Sequence, residues 1–342
     1  MRRRDFLRAG AALAASVPFT HGPCLAAAPK TPRVMTVTGE VAADQLGKML
    51  PHEHILVDFV GADKVSPDRY DADEAFKVML PVVKQAKDAG CETIAECTPA
   101  YLGRDPKLLQ RLSKATGMSF LTNTGYYGAR QGKFLPKHAH RESADELAKR
   151  WTAEWKDGIE GTGIRPGFIK IGVDGGPLTD VNRKLVRAAA RCHLNTGLTI
   201  AGHTGDGKAA LEQVDVLRKE GVSASAWIWV HAQNERNSEV HVQVARTGAW
   251  VEFDGVGPGS IDRHVELVKN MRGTGLLDRA LLSHDAGWYS VGEPRGGKVR
   301  GFETLFTKFL PALIKAGFGK DENQQLTVTN PARAFAIGVR AI

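Results

Sequence analysis

The chain has 342 residues, a formal net charge of +8, and 42% hydrophobic and 25% charged residues. This is a globular composition without low-complexity tracts or repeats of repeat-protein period, and the length suits one large α/β barrel, which needs about 250 residues. Lys and Arg form no stripe interleaved with aromatic residues, so we expect no nucleic-acid partner.

The first 28 residues are typical of an export leader. Four Arg lie within residues 2–8, and the alanine-rich stretch that follows is too short to span a membrane. Arg3-Arg4-Asp5-Phe6-Leu7 resembles the twin-arginine signal, by which the Tat machinery exports folded proteins across the bacterial inner membrane. We therefore predict a cleaved signal peptide over residues 1–28, the Tat machinery as a partner, and a periplasmic or secreted location. A disordered basic tail is the alternative.

The predicted mature chain carries little charge and few cysteines. Loss of four Arg and one Asp removes a charge of +3 from the total of +8 and leaves +5. Cys91, Cys97 and Cys192 remain, an odd number without metal-type C-x-x-C spacing, which argues against a disulfide framework. A protein that is exported already folded would fold in a reducing compartment, which agrees with this pattern.

Eight apolar runs of four to seven residues alternate with segments of helical period, which is typical of a (β/α)8 barrel. We expect one domain over residues 29–342, with a short hairpin of residues 34–37 and 40–42 before the barrel. The eight predicted strands are residues 49–57, 92–97, 119–123, 166–172, 198–201, 226–231, 250–254 and 279–283. The predicted helices are residues 73–89, 106–116, 143–159, 180–195, 207–220, 238–246, 261–271 and 302–316, with a terminal piece at 330–333.

Polar side chains that suit a metal follow several of these strands. His52 and His54 project from one face of the first strand, although two such histidines are more often a surface pair or a hydrogen-bonded core pair. His203, His231 and Asp285 end the fifth, sixth and eighth strands, and such ends meet on one rim of a barrel. Each histidine alone could be a structural hydrogen-bonding residue, and the aspartate alone could cap the next helix. Their joint occurrence at the strand ends predicts a metal site.

Lys170 lies in the middle of the apolar fourth strand. Burial there disfavours an ammonium ion. One interpretation pairs Lys170 with a buried carboxylate. The other is a neutral amine that reacts with carbon dioxide to form a carbamate, an anionic ligand suited to bridging two divalent ions.

Together these motifs resemble the phosphotriesterase family of the amidohydrolase superfamily. The resemblance extends from His52 through Gly167-Phe168-Ile169-Lys170-Ile171 and Ser283-His284-Asp285 to Asn330-Pro331-Ala332-Arg333. It implies two divalent ions per subunit, with Lys170 as N6-carboxylysine shared between them. The ligands that it implies are His52, His54, Lys170 and Asp285 for one ion, and Lys170, His203 and His231 for the other.

The resemblance also implies a hydrolase in which a metal-bridging hydroxide attacks an ester and Asp285 accepts its proton. Zinc is the expected metal, because nitrogen and oxygen ligands without thiolate suit it, with cobalt, manganese, nickel and iron as alternatives. Relatives active on phosphotriesters or acyl-homoserine lactones often have Gly-Asp soon after the strand-six histidine, and His or Arg after the strand-seven aspartate. Here Ala232-Gln233-Asn234 and Gly255 stand at those places.

We predict a lactone or carboxylic ester as substrate, with an organophosphate triester as the alternative. Two further alternatives are an inactive metal-binding protein and a deaminase or amidase with one metal. The loop of residues 292–301, with Arg295, Lys298 and Arg300, is a candidate receptor for an anionic substrate, and a homodimer is the candidate assembly. The residues expected to form the substrate pocket, unless they only pack loops over the barrel, are Tyr126, Tyr127, Trp288 and Tyr289.

Overall fold

Parallel strands alternate with helices around a barrel, which confirms the predicted (β/α)8 fold. The structure is a computed structural model that describes residues 31–342, and residues 32–342 form one compact unit. The predicted leader lies outside the described residues. No helix within residues 31–342 is long and apolar enough to cross a membrane.

A hairpin, ten barrel segments and a surrounding layer of helices make up this unit. The strands are β1 Arg33–Thr36, β2 Gly39–Ala42, β3 Met49–Val57, β4 Thr93–Glu96, β5 Ser119–Leu121, β6 Asn123–Thr124, β7 Phe168–Val173, β8 Ile200–Thr204, β9 Trp227–Val230, β10 Trp250–Phe253, β11 Ala280–Leu282 and β12 Gly287–Ser290. The helices are α1 Ala72–Asp88, α2 Pro106–Thr116, α3 Lys137–Arg141, α4 Ala144–Asp157, α5 Asp180–Thr196, α6 Gly207–Lys219, α7 Ser238–Arg246, α8 Ile261–Gly273, α9 Leu310–Lys315, α10 Lys320–Gln324 and α11 Asn330–Phe335.

The barrel consists of two parallel arcs. One arc has the order β11-β10-β9-β8-β7-β6, and the other has the order β12-β3-β4-β5. The third predicted strand is divided between the arcs as β5 and β6. In the eighth unit, β11 belongs to one arc and β12 to the other, so the chain passes between the arcs at residues 283–286.

Local chemistry explains where several helices begin. Ser143 and Glu146 form the capping box that their spacing predicts, at the start of α4. The sequence predicts Asp73 as the residue that caps α1, but the cap lies two residues earlier: the side chain of Asp71 accepts hydrogen bonds from the first turn. The predicted helix over residues 302–316 begins with a π-helical turn at Leu305–Phe309 and continues as α9.

The barrel interior is packed with apolar side chains from alternate strand positions. They belong to a buried cluster that also includes residues from the hairpin segment and α11: Val34, Ala43, Leu46, Met49, Ala95, Cys97, Leu121, Phe168, Ala201, Ile228, Val230, Trp250, Leu281, Ala334 and Phe335. The intervening residues of the strands, such as Ile169 and Ile171, pack against the helices instead. The barrel is therefore a packed core, and any site must lie at one end of it.

Candidate metal centre

The inward-facing positions of two strands lead directly to the candidate site. On β7, Phe168 packs in the barrel interior and Lys170 follows two residues later on the same face. On β8, Ala201 packs in the interior and His203 follows in the same way. Because side chains alternate across a strand, the register that buries the apolar residue also turns the polar residue towards the carboxyl end of the barrel.

His231 and Asp285 reach the site through an unusual backbone conformation. Val230 already faces the barrel interior, so alternation by itself would turn His231 outwards. The backbone φ is instead 66° at His231 and 52° at Asp285, a left-handed conformation that costs about 1–2 kcal/mol for a residue with a Cβ atom. Hydrogen bonds hold both residues there: the His231 N–H donates to Oδ2 of Asp254 at 3.0 Å, and the Asp285 N–H donates to the carbonyl of His52 at 3.2 Å.

Four histidines and one carboxylate lie close together at this end of the barrel. Nε2 of His52 is 3.3 Å from Nε2 of His54. Oδ1 of Asp285 is 3.2 Å from Nε2 of His54 and 3.7 Å from Nε2 of His52. The ring centroid of His231 is 5.0 Å from that of His52 and 4.5 Å from that of His203. The structure therefore brings together side chains from β3, β8 and the segments that follow β9 and β11.

Three of these rings are oriented through Nδ1. Nδ1 of His52 lies 3.0 Å from Oδ2 of Asp254, and Nδ1 of His231 lies 2.7 Å from Oδ1 of the same carboxylate. Nδ1 of His54 lies 2.7 Å from Oγ1 of Thr98. A proton assigned to Nδ1 in each ring leaves the lone pair of Nε2 available for a metal ion.

Asp254 is the centre of a buried network that sequence reasoning missed. Nε2 of Gln233 donates to its Oδ1 at 2.7 Å, while Oε2 of Glu252 lies 3.3 Å from Nδ1 of His52. Burial and the neighbouring Asp254 raise the pKa of Glu252 well above its usual value. Burial also opposes ionisation of Asp254, but its contacts with His231 and His52 hold its pKa well below the usual value. Asp254 is therefore the ionised carboxylate of the network.

Glu53, between the two histidines of β3, holds the segment that carries Asp285. Its Oε1 accepts hydrogen bonds from Oγ of Ser283 at 2.7 Å, and from the backbone N–H and Nδ1 of His284 at 3.0 and 2.7 Å. Its Oε2 accepts from the N–H of Ala286 at 2.9 Å. A glutamate between two histidines in a buried strand was the available sequence signal for this role.

Several buried polar atoms at the centre have no hydrogen-bond partner within residues 31–342. They include Nζ of Lys170 and Oδ1 of Asp285. A lysine held by a buried carboxylate would show such a partner, so the arrangement does not support the salt-bridge interpretation of Lys170. Unpartnered buried polar atoms beside several imidazoles fit a site that binds metal.

The charge states of these groups also suit metal binding. Burial and the nearby charge of Lys170 lower the pKa of His52 to about 3. Burial likewise holds the pKa of His203 well below its usual value, so both rings are neutral at neutral pH. Burial disfavours the Asp285 carboxylate, but contacts with His54 and His52 outweigh it and lower its pKa. Neutral imidazoles and an ionised carboxylate are ligands for divalent ions.

A cavity of about 550 Å³ opens above the centre. It is lined by all six candidate ligands, and its apolar wall includes Phe59, Leu102 and Phe134. Of the four aromatic residues predicted for the substrate pocket, Tyr127 and Trp288 line this cavity. Oη of Tyr127 lies 3.0 Å from Nε2 of His203, and burial raises the pKa of Tyr127, so its hydroxyl stays protonated.

The structure does not bring the other two predicted aromatic residues to this cavity. Tyr126 faces a different cavity, where its ring packs edge-on against Trp151 at 5.3 Å and its hydroxyl lies 3.0 Å from Nε2 of His138. Tyr289 is buried on β12, against the helical layer and beside Gly296. Alternation along β12 places Tyr289 on the face opposite to its neighbour Trp288.

The predicted basic loop also lies outside the cavity lining. The lining includes neither Arg295, Lys298 nor Arg300. The Arg300 guanidinium contacts the carbonyl of Asp285 and lies 5.4 Å from the ring centroid of Trp288, so it supports the cavity wall from behind. The cations that do line the cavity, besides Lys170, are Arg130 and Lys133.

Comparison with known families agrees with this geometry. The model of the phosphotriesterase family matches residues 32–335, nearly all of the described chain. The chain belongs to the phosphotriesterase family. The solved structure of the organophosphorus hydrolase from Deinococcus radiodurans superposes with a TM-score of 0.78 at 30% identity, covering 89% of this chain and 97% of that chain.

Several phosphotriesterase-family relatives match over most of their length. The Escherichia coli K12 protein named phosphotriesterase homology protein is 30% identical, with 85% of this chain and 99% of the relative covered. The aryldialkylphosphatase of Saccharolobus solfataricus is 27% identical, with 86% of this chain and 97% of the relative covered. The N-acetyltaurine hydrolase of Danio rerio is 25% identical, with 88% and 97% covered. The chain is thus a phosphotriesterase-family hydrolase with a metal-binding centre, and its relatives differ in the substrates for which they are named.

Proposed function

We propose that this protein is a hydrolase with two divalent metal ions that cleaves a lactone or a carboxylic ester. The observation that carries the proposal is the convergence of four imidazoles, Lys170 and Asp285 on one cavity, with Nζ of Lys170 buried and unpartnered among the described residues. A carbamate on Nζ would give this atom a role and add a second anionic oxygen ligand to the one that Asp285 supplies.

The donor set suggests how the ions would be held. The proposed ligands of one ion are His52, His54, carboxylated Lys170 and Asp285. Those of the other are carboxylated Lys170, His203 and His231. Nitrogen and oxygen donors without thiolate favour zinc. When bound, such ions polarise a carbonyl or phosphoryl oxygen and make water nucleophilic at neutral pH.

The side chains of this protein would then position the substrate and move protons. Asp285 is ionised, and its Oδ1 makes no hydrogen bond to a described residue, so we assign it as acceptor of the proton released by the attacking water. The protonated hydroxyl of Tyr127 is a donor at the cavity wall. Phe59, Leu102 and Trp288 would exclude water from the reacting group.

An organophosphate triester is the second candidate substrate. The solved structure and one of the relatives described above are named for phosphorus substrates, and the match to each covers most of both chains. A tetrahedral phosphoryl centre and a trigonal carbonyl both present one oxygen for polarisation, so the same ligands serve either reaction.

A substrate screen with metal-reconstituted protein tests the proposal. Lactones, aryl carboxylic esters and a paraoxon-type triester are assayed beside the Asp285→Asn variant, and the metal content of each sample is measured. We expect two ions per chain and faster turnover of an ester or lactone than of the triester. No turnover of any ester with two ions bound would contradict the hydrolase, and one tightly held ion per chain would contradict the two-metal centre.

We also propose that the protein is exported folded. The supporting feature is Arg3-Arg4-Asp5-Phe6-Leu7 at the start of a basic and then alanine-rich leader. Replacement of Arg3 and Arg4 by Lys should block export, because the twin-arginine pair is read by the Tat machinery. Periplasmic and cytoplasmic fractions of a bacterial host are compared, and unchanged export of the double variant would contradict the proposal.

A further inference from the structure

The cavity lining carries an excess of positive charge. Four of its residues are Lys, Arg or Asp: Lys170, Asp285, Arg130 and Lys133. Once Lys170 and Asp285 are assigned to the metal centre, the two charges that remain to meet a substrate are both positive. Binding of a neutral ester would not require either of these two positive charges.

Arg130 lies on the segment that joins β6 to α3, and the backbone fixes its position. Arg130 and Gln131 have φ values of 59° and 56°, a left-handed conformation that is unfavourable for residues with a Cβ atom. The carboxylate of Asp174 accepts hydrogen bonds from both of their N–H groups, at 2.8 and 3.2 Å. A strained turn that is held by a specific carboxylate indicates a side chain whose position matters.

The guanidinium of Arg130 is available for a ligand. Within residues 31–342 it forms no ion pair with a carboxylate, and the side chain is exposed at the mouth of the cavity. Its charge acts on the hydroxyl of Tyr127, which contacts His203. Lys133 is less free, because its Nζ donates to the carbonyl of Phe59 at 2.7 Å.

We propose that the substrate carries an oxyanion group, a carboxylate or a phosphate, remote from the bond that is cleaved, and that Arg130 binds this group. The inference rests on the proposed hydrolase function and specifies its substrate class. The reacting ester would lie against the metal centre, while the anionic end would reach the cavity mouth. A guanidinium forms paired hydrogen bonds to carboxylate and phosphate oxygens alike, so both groups fit its chemistry.

Two esters of equal chain length test the proposal. Mono-4-nitrophenyl glutarate ends in a carboxylate, whereas 4-nitrophenyl pentanoate ends in a methyl group. For metal-loaded wild type, we expect a higher kcat/KM with the glutarate ester. Arg130→Gln should lower the glutarate-to-pentanoate ratio of kcat/KM about tenfold or more, mainly through KM, because a charge-assisted hydrogen bond is lost. Arg130→Lys should keep part of the preference.

The matched control is Arg295→Gln, an exposed arginine outside the cavity lining, which should leave the ratio unchanged. Binding of glutarate and of inorganic phosphate to metal-loaded protein, measured by calorimetry, gives a readout without turnover. Each anion that the site accepts should bind Arg130→Gln at least about tenfold more weakly than it binds the wild type. The tighter of the two identifies the preferred anion.

The outcomes separate this proposal from the proposed function. Hydrolysis of both esters without preference would leave the hydrolase standing and overturn the anionic substrate. Equal affinity of glutarate and phosphate for wild type and Arg130→Gln would show that the metal centre alone receives the anion. This result would also overturn the role of Arg130. Hydrolysis of neither ester would contradict activity on linear carboxylic esters, while weaker anion binding by Arg130→Gln would still support the anion site.

Discussion

At the residue scale, the centre depends on two side chains that do not follow strand alternation. His231 and Asp285 adopt left-handed backbone conformations that together cost a few kcal/mol. Asp254 offsets part of this by binding both the backbone N–H and the ring of His231. Glu53 offsets another part by holding the residues on either side of Asp285. Backbone strain therefore coincides with the proposed chemistry, as is common in active sites.

Lys170→Ala tests the proposed carbamate. We expect the loss of most bound metal and a decrease in activity of at least about 100-fold, because the ligand shared by both ions is removed. Propionate or another short carboxylic acid should restore part of both properties, since it can occupy the vacated space. Metal analysis and ester hydrolysis, each with and without added acid, provide the measurements.

The control for this variant is Lys133→Ala, which removes a lysine from the cavity mouth and should retain both ions. A lysine with a structural role alone predicts that Lys170→Ala keeps two ions and shows no rescue. Lys170→Glu separates the interpretations further. Its fixed carboxylate imitates a bridge in part, but it cannot replace a cationic partner.

Asp254→Asn tests whether one carboxylate orients two ligands. Asparagine keeps the shape but loses the charge that fixes the Nδ1 proton of His52 and His231. We expect metal affinity to fall by about 10- to 100-fold, as measured by competition with a chelator. Asp262→Asn, at an exposed position in α8, is the matched control and should bind metal like the wild type. Unchanged affinity in Asp254→Asn would show that these contacts do not orient the rings.

At the element scale, the eighth barrel unit is the most constrained part of the fold. Strand β12 returns to the barrel after Asp285 and pairs with β3, with Gly287 opposite His54. A Cβ atom on Gly287 would collide with the carbonyl oxygen of His54 and with the ring of Phe302. Its φ of 89° also disfavours any residue other than glycine.

Gly287→Ala should therefore destabilise the protein by about 3 kcal/mol and weaken metal binding, because β12 must move away from β3. Gly273→Ala offers a contrast, since Gly273 lies at the exposed end of α8 with open space around its Cα. That change should be neutral or stabilising by up to about 1 kcal/mol. Urea unfolding of both variants measures the difference, and equal stability would contradict the close approach of β12 to β3.

The elements that the sequence predicted less well are those with little local signal. Strand β12 was missed because Gly287-Trp288-Tyr289-Ser290 begins with glycine and has no apolar run of its own. Its pairing with β3 joins residues more than 200 positions apart. By contrast, α2 was predicted to the residue, because Pro106 at its start and Gly117 beyond its end are local signals.

At the scale of the whole molecule, buried neutral histidines make stability depend on pH. Burial lowers the pKa values of His193, His241 and His264, which lie outside the metal centre. The unfolded chain therefore binds more protons than the native state once the pH falls below about 6.5. Stability is fully present above this pH and decreases below it, by up to about 1.4 kcal/mol per histidine for each pH unit.

His193 allows this pH dependence to be tested. Its Nδ1 lies 2.8 Å from the carbonyl of Leu198, and its Nε2 accepts from the N–H of Arg340 at 2.9 Å, so protonation breaks the second bond. His193→Gln should flatten the decrease in unfolding free energy between pH 7.5 and pH 5.5. His140→Gln, at an exposed position, should leave it unchanged. The same slope in all three proteins would contradict the argument.

The order of the elements, the barrel, the family and the side chains at the strand ends could all be predicted from the amino-acid sequence. Periodic burial and helix capping are local properties, so they are visible without the fold. The folded structure was needed to show that Asp254 and Glu53 support the centre. It was also needed to show that Tyr127 rather than Tyr126 faces the cavity, and that Arg130 rather than Arg295 lines it. These facts depend on loop conformations and on contacts between residues far apart in the chain, which no local pattern encodes.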